Sequence, residues 1–269
     1  MGTRISFRYK NENRTGFPNN CIKAIRLRDN GFCIAVYEPE SREILLVEEH
    51  RFEDDYPLNG KLHLMSEAES QLETGNRIRF VCFNRPNTQI PEKIFNGEDR
   101  NTYLQLLTEK PYMYTPVEEI IHPYGLYNLS AWEKNLYHGI LSLHPDCRMQ
   151  SGMGLLLQML HRQEGVRKIA AFVEDGHLDI AAEESGQFIG ANSFCFQNTN
   201  DFLYFFTGFA HTMFGGTEKV TAYLGGEVEP ESMLCSSVKK YFPEIRFINN
   251  GFEILKEQHR YCDLLFEEQ

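Results

Sequence analysis

Apolar residues recur at strand-like spacing in three short segments near the start of the chain. The segments are 21–28, 32–37 and 43–50, and runs of this length that are bounded by turn residues are typical of β-strands. Asn30-Gly31 lies between the first two segments and favours a type I′ turn, because both residues tolerate a positive φ. The pattern therefore predicts a three-stranded antiparallel meander.

The spacing of apolar residues changes to three and four over residues 58–74. This period predicts a helix with one apolar face, and Gly75 is predicted to end it. An apolar run at 78–83 predicts the strand that follows. The first repeat is thus predicted to consist of a meander, a helix and a further strand.

The same order of elements begins again about 145 residues later, which indicates a duplicated fold. Residues 167–173, 177–182 and 187–196 predict a second meander. A helix follows, for which Asn198 offers a capping oxygen. The apolar stripe of this helix is expected in the core and consists of Phe202, Phe205, Phe206, Phe209 and Met213. The last predicted elements are a strand at 220–224, a helix at 230–241 and a strand at 245–248.

The region between the two repeats is rich in proline and tyrosine and predicts a connection with one long strand. Ser130 and Glu133 have the spacing of a capping box, in which the two side chains satisfy backbone N–H groups at the start of a helix. They predict a helix that runs to Leu143. A strand at 147–150 and a helix at 153–162 are predicted to complete the first half.

The composition is that of a folded chain with two domains. Of its 269 residues, 42% are hydrophobic and 24% are charged, and domains of roughly 100–150 residues are common. We predict a basic N-terminal arm at 1–20, a first lobe at 21–151 and a second lobe at 152–269. Two domains of this size are each large enough to bury a core.

The net charge of −11 makes duplex nucleic acid an unfavourable partner, because an acidic protein repels phosphate groups. Residues 1–28, however, contain seven Lys and Arg against one Glu. RNA binding through the basic arm is therefore an alternative to a solvated arm without a partner.

The seven cysteines, an odd number spread over the chain, indicate free thiols in a reducing compartment, and we expect a cytoplasmic protein. No apolar run reaches the ~20 residues that a membrane-spanning helix needs. His144/Cys147 and His259/Cys262 each have a His-x-x-Cys spacing that two halves of a zinc site could share. Structural zinc sites usually contain closely spaced cysteine pairs, and we predict no metal.

Arg26 and Arg28 share one face of the first predicted strand, opposite Ile25 and Leu27, because alternate side chains of a strand point to opposite faces. Two cationic side chains on one face could bind an anion. They could equally pair with the acidic side chains that the chain has in excess. Both alternatives require a partner charge, because a buried unpaired charge is costly.

Two copies of a meander followed by helices and parallel strands resemble the duplicated ribonuclease-H-like core of the actin, sugar-kinase and heat-shock-chaperone ATPases. The resemblance covers residues 21–250. The chain is also similar to the pilus-assembly protein PilM and its secretion-system relatives, and it resembles a bacterial family of unknown function with an actin-like ATPase fold. The resemblance implies an α/β fold of two ribonuclease-H-like lobes, each a mixed five-stranded sheet with flanking helices.

The resemblance also implies where a nucleotide would lie. In this superfamily a magnesium-bound triphosphate lies against the backbone N–H groups of two hairpin turns, and a glycine pair passes under the adenosine. The corresponding residues are Asp29, Asn30 and Gly31 in the first turn, Asp175 and Gly176 in the second, and Gly225 and Gly226 in the pair. Phe32 and His177 follow the two turns where the family has small residues, and their rings are expected to fill the space of the phosphates.

Two functions follow from these residues. The first is a non-catalytic protein without a cofactor, which acts as a protein-binding adaptor or assembly factor, because both phosphate turns depart from the family pattern. This function predicts a protein partner and no catalytic residues. The alternative is a functional ATP-binding protein or slow ATPase, in which Asp29 and Asp175 would hold magnesium.

Overall fold

The computed structural model describes residues 2–13, 16–72, 77–83, 85–252 and 258–266. The chain forms two compact units. The first unit contains residues 1–86, 96–117 and 130–151, and the second contains 87–95, 118–129 and 152–269. Two short segments of the first half thus belong to the second unit, whereas the sequence predicts a single boundary after residue 151.

The strands and helices are numbered in chain order. The strands of the described residues are β1 (Thr3–Lys10), β2 (Ile22–Arg28), β3 (Gly31–Glu38), β4 (Glu43–Phe52), β5 (Arg77–Cys82), β6 (Asn87–Pro91), β7 (Tyr114–Ile121), β8 (Leu126–Glu133), β9 (Arg148–Ser151), β10 (Arg167–Glu174), β11 (His177–Glu184), β12 (Gln187–Cys195), β13 (Thr221–Gly226) and β14 (Glu244–Phe247). The α-helices are α1 (Leu58–Ser70), α2 (Arg100–Leu107), α3 (Lys134–Leu143), α4 (Gly152–Arg162), α5 (Thr199–Phe214) and α6 (Met233–Val238).

The first unit is built on a six-stranded sheet in the order β1-β4-β3-β2-β5-β9. Strands β2, β3 and β4 form the predicted meander, and β5 and β9 extend the sheet in parallel. Helices α1 and α3 pack on one face, where Met65 and Ile140 share a hydrophobic cluster with Ile25. Arg26 is buried outside that cluster, as the alternation of side chains along β2 predicts.

The basic N-terminal residues are part of this sheet, which corrects the arm predicted at 1–20. Residues 3–10 form β1, which pairs antiparallel with β4 at the edge of the sheet. Arg8 Nε lies 2.7 Å from the carboxylate of Glu48 on β4. The acidic neighbouring strand therefore offsets part of the positive charge that favours RNA binding in the sequence.

The second unit is built on a five-stranded mixed sheet in the order β12-β11-β10-β13-β14. Strands β10, β11 and β12 form the second predicted meander, and β13 and β14 continue the sheet in parallel. Helices α5 and α6 cover the hydrophobic cluster of this sheet, and α4 packs on β10 and β11. The predicted α/β fold of two such lobes is confirmed, with β1 as an additional strand in the first sheet.

The apolar stripe of α5 lies in the core as predicted, and Phe202 and Phe206 are fully buried. The Asn198 side chain accepts the N–H groups of Asn200 and Asp201 and caps the helix. The polar residues His211 and Thr212 of this helix are exposed. Among the described helices, none is both long and apolar enough to cross a membrane.

The connection between the repeats has more structure than the sequence predicts. Strands β6, β8 and β7 form a three-stranded sheet, and α2 lies between β6 and β7 in the chain. The predicted capping box is wrong, because Ser130 and Glu133 belong to β8 and the helix α3 begins only at Lys134. The Ser130 hydroxyl donates to the Val117 carbonyl and accepts from Trp132 Nε1, so it satisfies a buried indole rather than a helix terminus.

Two predicted helices are shorter in the structure. Helix α1 ends at Ser70, and residues 73–76, which include the predicted stop at Gly75, lie outside the described residues. Helix α6 begins three residues after Pro230, because the Ser232 hydroxyl accepts a backbone N–H of the first helical turn and caps it.

Candidate functional site

The first hairpin turn joins β2 to β3 through Asp29 and Asn30. The predicted type I′ geometry is wrong here, because neither Asn30 nor Gly31 has a positive φ. Gly31 is instead required by a close approach, since an ideal Cβ on it would lie 2.0 Å from the carbonyl oxygen of His50 on β4. The glycine of this turn therefore has a structural role in the packing of the sheet.

The ring of Phe32 lies in the hydrophobic core of the first unit. It stacks on His50 with ring centroids 4.5 Å apart and tilts against Phe52 at 5.9 Å. The predicted role of this ring, to fill the space of a phosphate above the turn, is therefore not supported by its packing.

A small cavity of about 190 Å³ lies beside the first turn. Three cationic and two acidic residues line it, namely Arg28, Lys61, Arg85, Asp29 and Glu133. Lys61 Nζ donates to the carbonyl oxygen of Asp29 at 2.8 Å, and Arg85 lies 3.4 Å from the Glu133 carboxylate. The first turn is thus bordered by cationic side chains from β2, from α1 and from the segment after β5.

The second hairpin turn consists of Asp175 and Gly176, whose φ values of 49° and 77° are both positive, as a two-residue type I′ hairpin requires. His177 begins β11, and its Nδ1 lies 3.4 Å from Cys195 Sγ on β12. The imidazole therefore lies along the neighbouring strand, and the prediction that it fills a phosphate site above the turn is not supported either.

The glycine pair ends β13 beside β10. Gly226 has a φ of 80°, and an ideal Cβ on it would lie 2.1 Å from the Val173 carbonyl oxygen. An ideal Cβ on Gly225 would lie 3.0 Å from both Cys262 Sγ and Ile248 Cδ1. Side chains therefore pack close to Gly225, and a backbone carbonyl lies close to Gly226.

The second turn and the glycine pair come together inside the second unit. The Glu227 N–H donates to the Val173 carbonyl at 2.7 Å, and Glu227 Oε2 accepts the backbone N–H of Asp175 at 3.3 Å. Of the predicted site residues, Asp175, Gly176, Gly225 and Gly226 are therefore neighbours. Asp29, Asn30 and Gly31 belong to the first unit.

The segment 258–266, which sequence reasoning did not connect with the site, lies against the glycine pair. His259 Nε2 lies 2.8 Å from the Val228 carbonyl oxygen, and Asn250 Nδ2 donates to the Cys262 carbonyl at 2.5 Å. Apolar residues at 261–262 and 264–266 are buried, and this run of apolar residues is the sequence signal that could have predicted a packed segment.

The two His-x-x-Cys pairs lie in different units: His144 and Cys147 in the first, His259 and Cys262 in the second. His259 is engaged with a backbone carbonyl oxygen, and burial lowers the pKa of His144. In the described part of the chain, no group of three or more His, Cys, Asp or Glu side chains could hold a metal ion.

One buried carboxyl of the second unit was missed in the sequence. Asp179 on β11 is buried, and this burial raises its pKa from 3.8 to about 6, although a hydrogen bond from Ser193 acts in the opposite direction. The Ser193 hydroxyl donates to Asp179 Oδ1 at 2.5 Å. The spacing of residues along β11 gives no indication that an aspartate faces the interior.

Solved structures with the same architecture define the class of the protein. A Bacteroides thetaiotaomicron protein with an actin-like ATPase fold and unknown function is similar at 20% identity and a TM-score of 0.75, over 93% of this chain and 97% of that one. The PilM–PilN type IV pilus biogenesis complex is similar at 8% identity and a TM-score of 0.59, over 92% and 98%. The cytoplasmic domain of EpsL, an inner membrane component of the type II secretion system of Vibrio cholerae, is similar at 10% identity and a TM-score of 0.50, over 91% and 92%. The chain has an actin-like ATPase fold.

The family follows from the sequence. The profile described as "Protein of unknown function (DUF3822)" matches residues 11–245, and the chain belongs to this family. No curated protein matches the chain. The predicted resemblance to PilM and to a bacterial family of unknown function with an actin-like ATPase fold is confirmed.

Proposed function

We propose that this protein is a non-catalytic member of the actin-like fold class that binds a protein partner as an adaptor or assembly factor. The observation that carries the proposal is the second hairpin turn, in which Glu227 Oε2 accepts the backbone N–H of Asp175. A phosphate-binding turn needs such N–H groups for phosphate oxygens. In this turn a carboxylate of the protein already accepts one such N–H group, which supports a turn that binds no phosphate.

The charges around the second turn support the same conclusion. Glu174 and Asp175 are consecutive acidic residues at the turn, and the Glu227 carboxylate lies beside Asp175. Arg260 lies 4.0 Å from Glu227 and 3.3 Å from Glu229. A triphosphate brings several further negative charges, and like charges at short distance repel each other.

The glycine pair supports the proposal on steric grounds. Cys262, Ile248 and Phe172 all lie within 3.3 Å of an ideal Cβ on Gly225, so atoms of the chain fill the space close to the backbone. This packing supports the proposal of a protein without a nucleotide cofactor.

A protein partner is supported by the similarity to the PilM–PilN complex, in which a chain of this fold is assembled with a second protein. At 8% identity this similarity extends only to the fold. The partner of this chain is therefore proposed by its class, as a protein.

The test is thermal unfolding with magnesium and ATP at millimolar concentration. Ligand at 100 times its Kd would add about 2.7 kcal/mol to the free energy of unfolding, which corresponds to a rise of several degrees in Tm for a chain of this size. We expect no rise beyond that with magnesium chloride alone. A nucleotide-dependent rise would favour the alternative, a functional ATP-binding protein.

A further inference from the structure

Cys195, His177 and Glu174 occupy one row across three neighbouring strands of the second unit. In the ladder of β11 and β12, His177 lies directly opposite Cys195. In the ladder of β10 and β11, Glu174 lies directly opposite His177. Side chains at directly opposite positions project from the same face of a sheet. The row therefore places an imidazole between a thiol and a carboxylate.

We propose that Cys195 is a site of thiol–disulfide exchange with a small disulfide, in which His177 is the base. Cys195 Sγ lies 3.4 Å from His177 Nδ1, which is a hydrogen-bonding distance for sulfur. A nucleophile and a base within hydrogen-bond reach of each other are typical of an activated cysteine. The site goes beyond the proposed function, because it requires neither a protein partner nor the absence of a nucleotide.

The thiol of Cys195 is the accessible one among the seven of the chain. Five cysteines are buried and Cys147 is half-buried, whereas Cys195 is exposed. Cys195 is the last residue of β12, which forms an edge of the five-stranded sheet. Burial also raises the pKa of the Cys147 thiol to about 11, so this thiol stays protonated at neutral pH, and the thiolate is the reactive form. A disulfide in solution therefore reaches Cys195 in preference to the other cysteines.

Carboxyl groups around the imidazole favour its protonated form. Glu174 lies opposite His177, Asp175 belongs to the turn before it, and Asp179 follows two positions later on the same face of β11. Negative charges near an imidazole stabilise the imidazolium, and an imidazolium beside a thiol stabilises the thiolate. Because His177 lies between Glu174 and Cys195 in the row, its charge acts on the sulfur at shorter range than that carboxylate does.

The exchange conserves atoms and electrons without a further oxidant. His177 Nδ1 accepts the proton of the Cys195 thiol, and the thiolate attacks one sulfur of the small disulfide. A bond forms between Cys195 Sγ and that sulfur while the bond between the two sulfurs of the disulfide breaks. The leaving thiolate takes the proton from His177. The products are a mixed disulfide at Cys195 and one free small thiol.

Glutathione disulfide is the probe, and mass spectrometry of the native full chain at pH 7 follows the mixed disulfide at each cysteine. We expect one fast site, at Cys195. An ordinary thiol is only a few per cent thiolate at this pH, so His177→Asn, which removes the base, should slow the reaction about tenfold. His138→Asn, which removes an exposed histidine of α3, is the matched control and should react at the unsubstituted rate.

The pH dependence separates a base from a residue with only a structural role. At about pH 10 an ordinary thiol is ionised without help, so the rates of His177→Asn and of the unsubstituted protein should converge there. Continued protection of the buried cysteines shows that the variant is folded. If these cysteines are not protected in His177→Asn, His177→Gln takes its place, with the same slowing expected at pH 7.

The proposal is overturned if glutathione disulfide forms no mixed disulfide at Cys195, or if another cysteine of the folded protein reacts faster. Equal rates at pH 7 for the unsubstituted protein and the folded His177 variant also overturn it. So does a tenfold slowing that persists at about pH 10, because a missing base has no effect once the thiol is ionised. None of these results depends on whether magnesium-ATP raises Tm, so failure of this site and failure of the proposed function are distinguishable.

Discussion

Lys168 and Glu183 face each other across β10 and β11, and Lys168 Nζ lies 2.6 Å from Glu183 Oε1. Both side chains are buried, at 3% and 2% exposure. Nζ also donates to the carbonyls of Leu160, in the last turn of α4, and of Gln163, just after it. Tyr124 donates to the other oxygen of Glu183, and burial together with this carboxylate raises the pKa of Tyr124. The buried pair thus joins the sheet to α4.

We predict that Lys168→Met lowers the free energy of unfolding by about 3–5 kcal/mol, because it leaves the Glu183 carboxylate buried without its buried cationic partner. Urea denaturation measures this loss. Arg167→Met is the neighbouring control, since Arg167 pairs with Glu184 at 39% exposure for both side chains, and it should cost about 1 kcal/mol or less. Equal losses in the two variants would contradict the structural role of the buried pair.

The glycine pair gives a second prediction. Gly226→Ala places a Cβ 2.1 Å from the Val173 carbonyl oxygen at a φ of 80°. The alanine would therefore both strain its own backbone and clash with the backbone of Val173. Gly215 has a similar φ of 76° but nothing within 4 Å of its ideal Cβ. We expect a loss of about 3 kcal/mol or more for Gly226→Ala and about 1 kcal/mol for Gly215→Ala. Similar losses in denaturation experiments would disprove the close approach at Gly226.

Asp179 gives a pH-dependent prediction. Burial raises the pKa of this carboxyl from 3.8 to about 6 in the folded protein. Between these values the unfolded chain has released the proton and the folded chain has retained it, so the free energy of unfolding decreases as the pH rises. The loss is complete above the folded-state pKa and amounts to about 3 kcal/mol for two pKa units.

Asp179→Asn removes this ionisation. Relative to the unsubstituted protein, the variant should therefore gain about 2–3 kcal/mol in the free energy of unfolding between pH 4 and pH 8. The measurement is urea denaturation of both proteins at the two pH values. Asp54→Asn, at an exposed position, is the control. A difference between variant and parent that does not change with pH would refute the prediction.

The cysteines differ in reactivity according to their burial. Five of the seven are buried, Cys195 is exposed, and burial raises the pKa of the half-buried Cys147 to about 11. Because the thiolate is the reactive form, we expect iodoacetamide to modify Cys195 first, beside His177. Mass spectrometry of the native protein should find a single fast site that is absent in Cys195→Ser. Fast labelling at a buried cysteine would show that the core opens.

Much of the fold can be predicted from the sequence, because the meanders depend on local signals. The strands of both meanders, the capping residue Asn198 and the buried stripe of α5 all agree with their local patterns. The prediction of a capping box at Ser130 is wrong because the Ser130 hydroxyl is hydrogen-bonded to the Val117 carbonyl and to the Trp132 indole. The predicted type I′ geometry of the first turn is wrong because Gly31 is required by the close approach of β4 and not by the turn type.

Only part of the candidate site could be predicted from the sequence in the same way. Its hairpin turns and glycine pair can be predicted from the sequence through the resemblance to the actin-like fold. The structure brings Asp175 close to the glycine pair. The groups that contact Asp175 and Gly225 come from other positions: Glu227 from after β13, Ile248 from after β14 and Cys262 from near the end of the chain. Such contacts depend on tertiary packing, which residue patterns do not encode locally.

Calorimetric titration of the full chain with magnesium-ATP tests the proposed absence of nucleotide binding most directly, because it reports binding at constant temperature. The account predicts only the heat of dilution, with ADP and ATP alike, since Glu227 already accepts the Asp175 N–H and side chains pack against Gly225. A saturable heat of binding with one nucleotide per chain would contradict it.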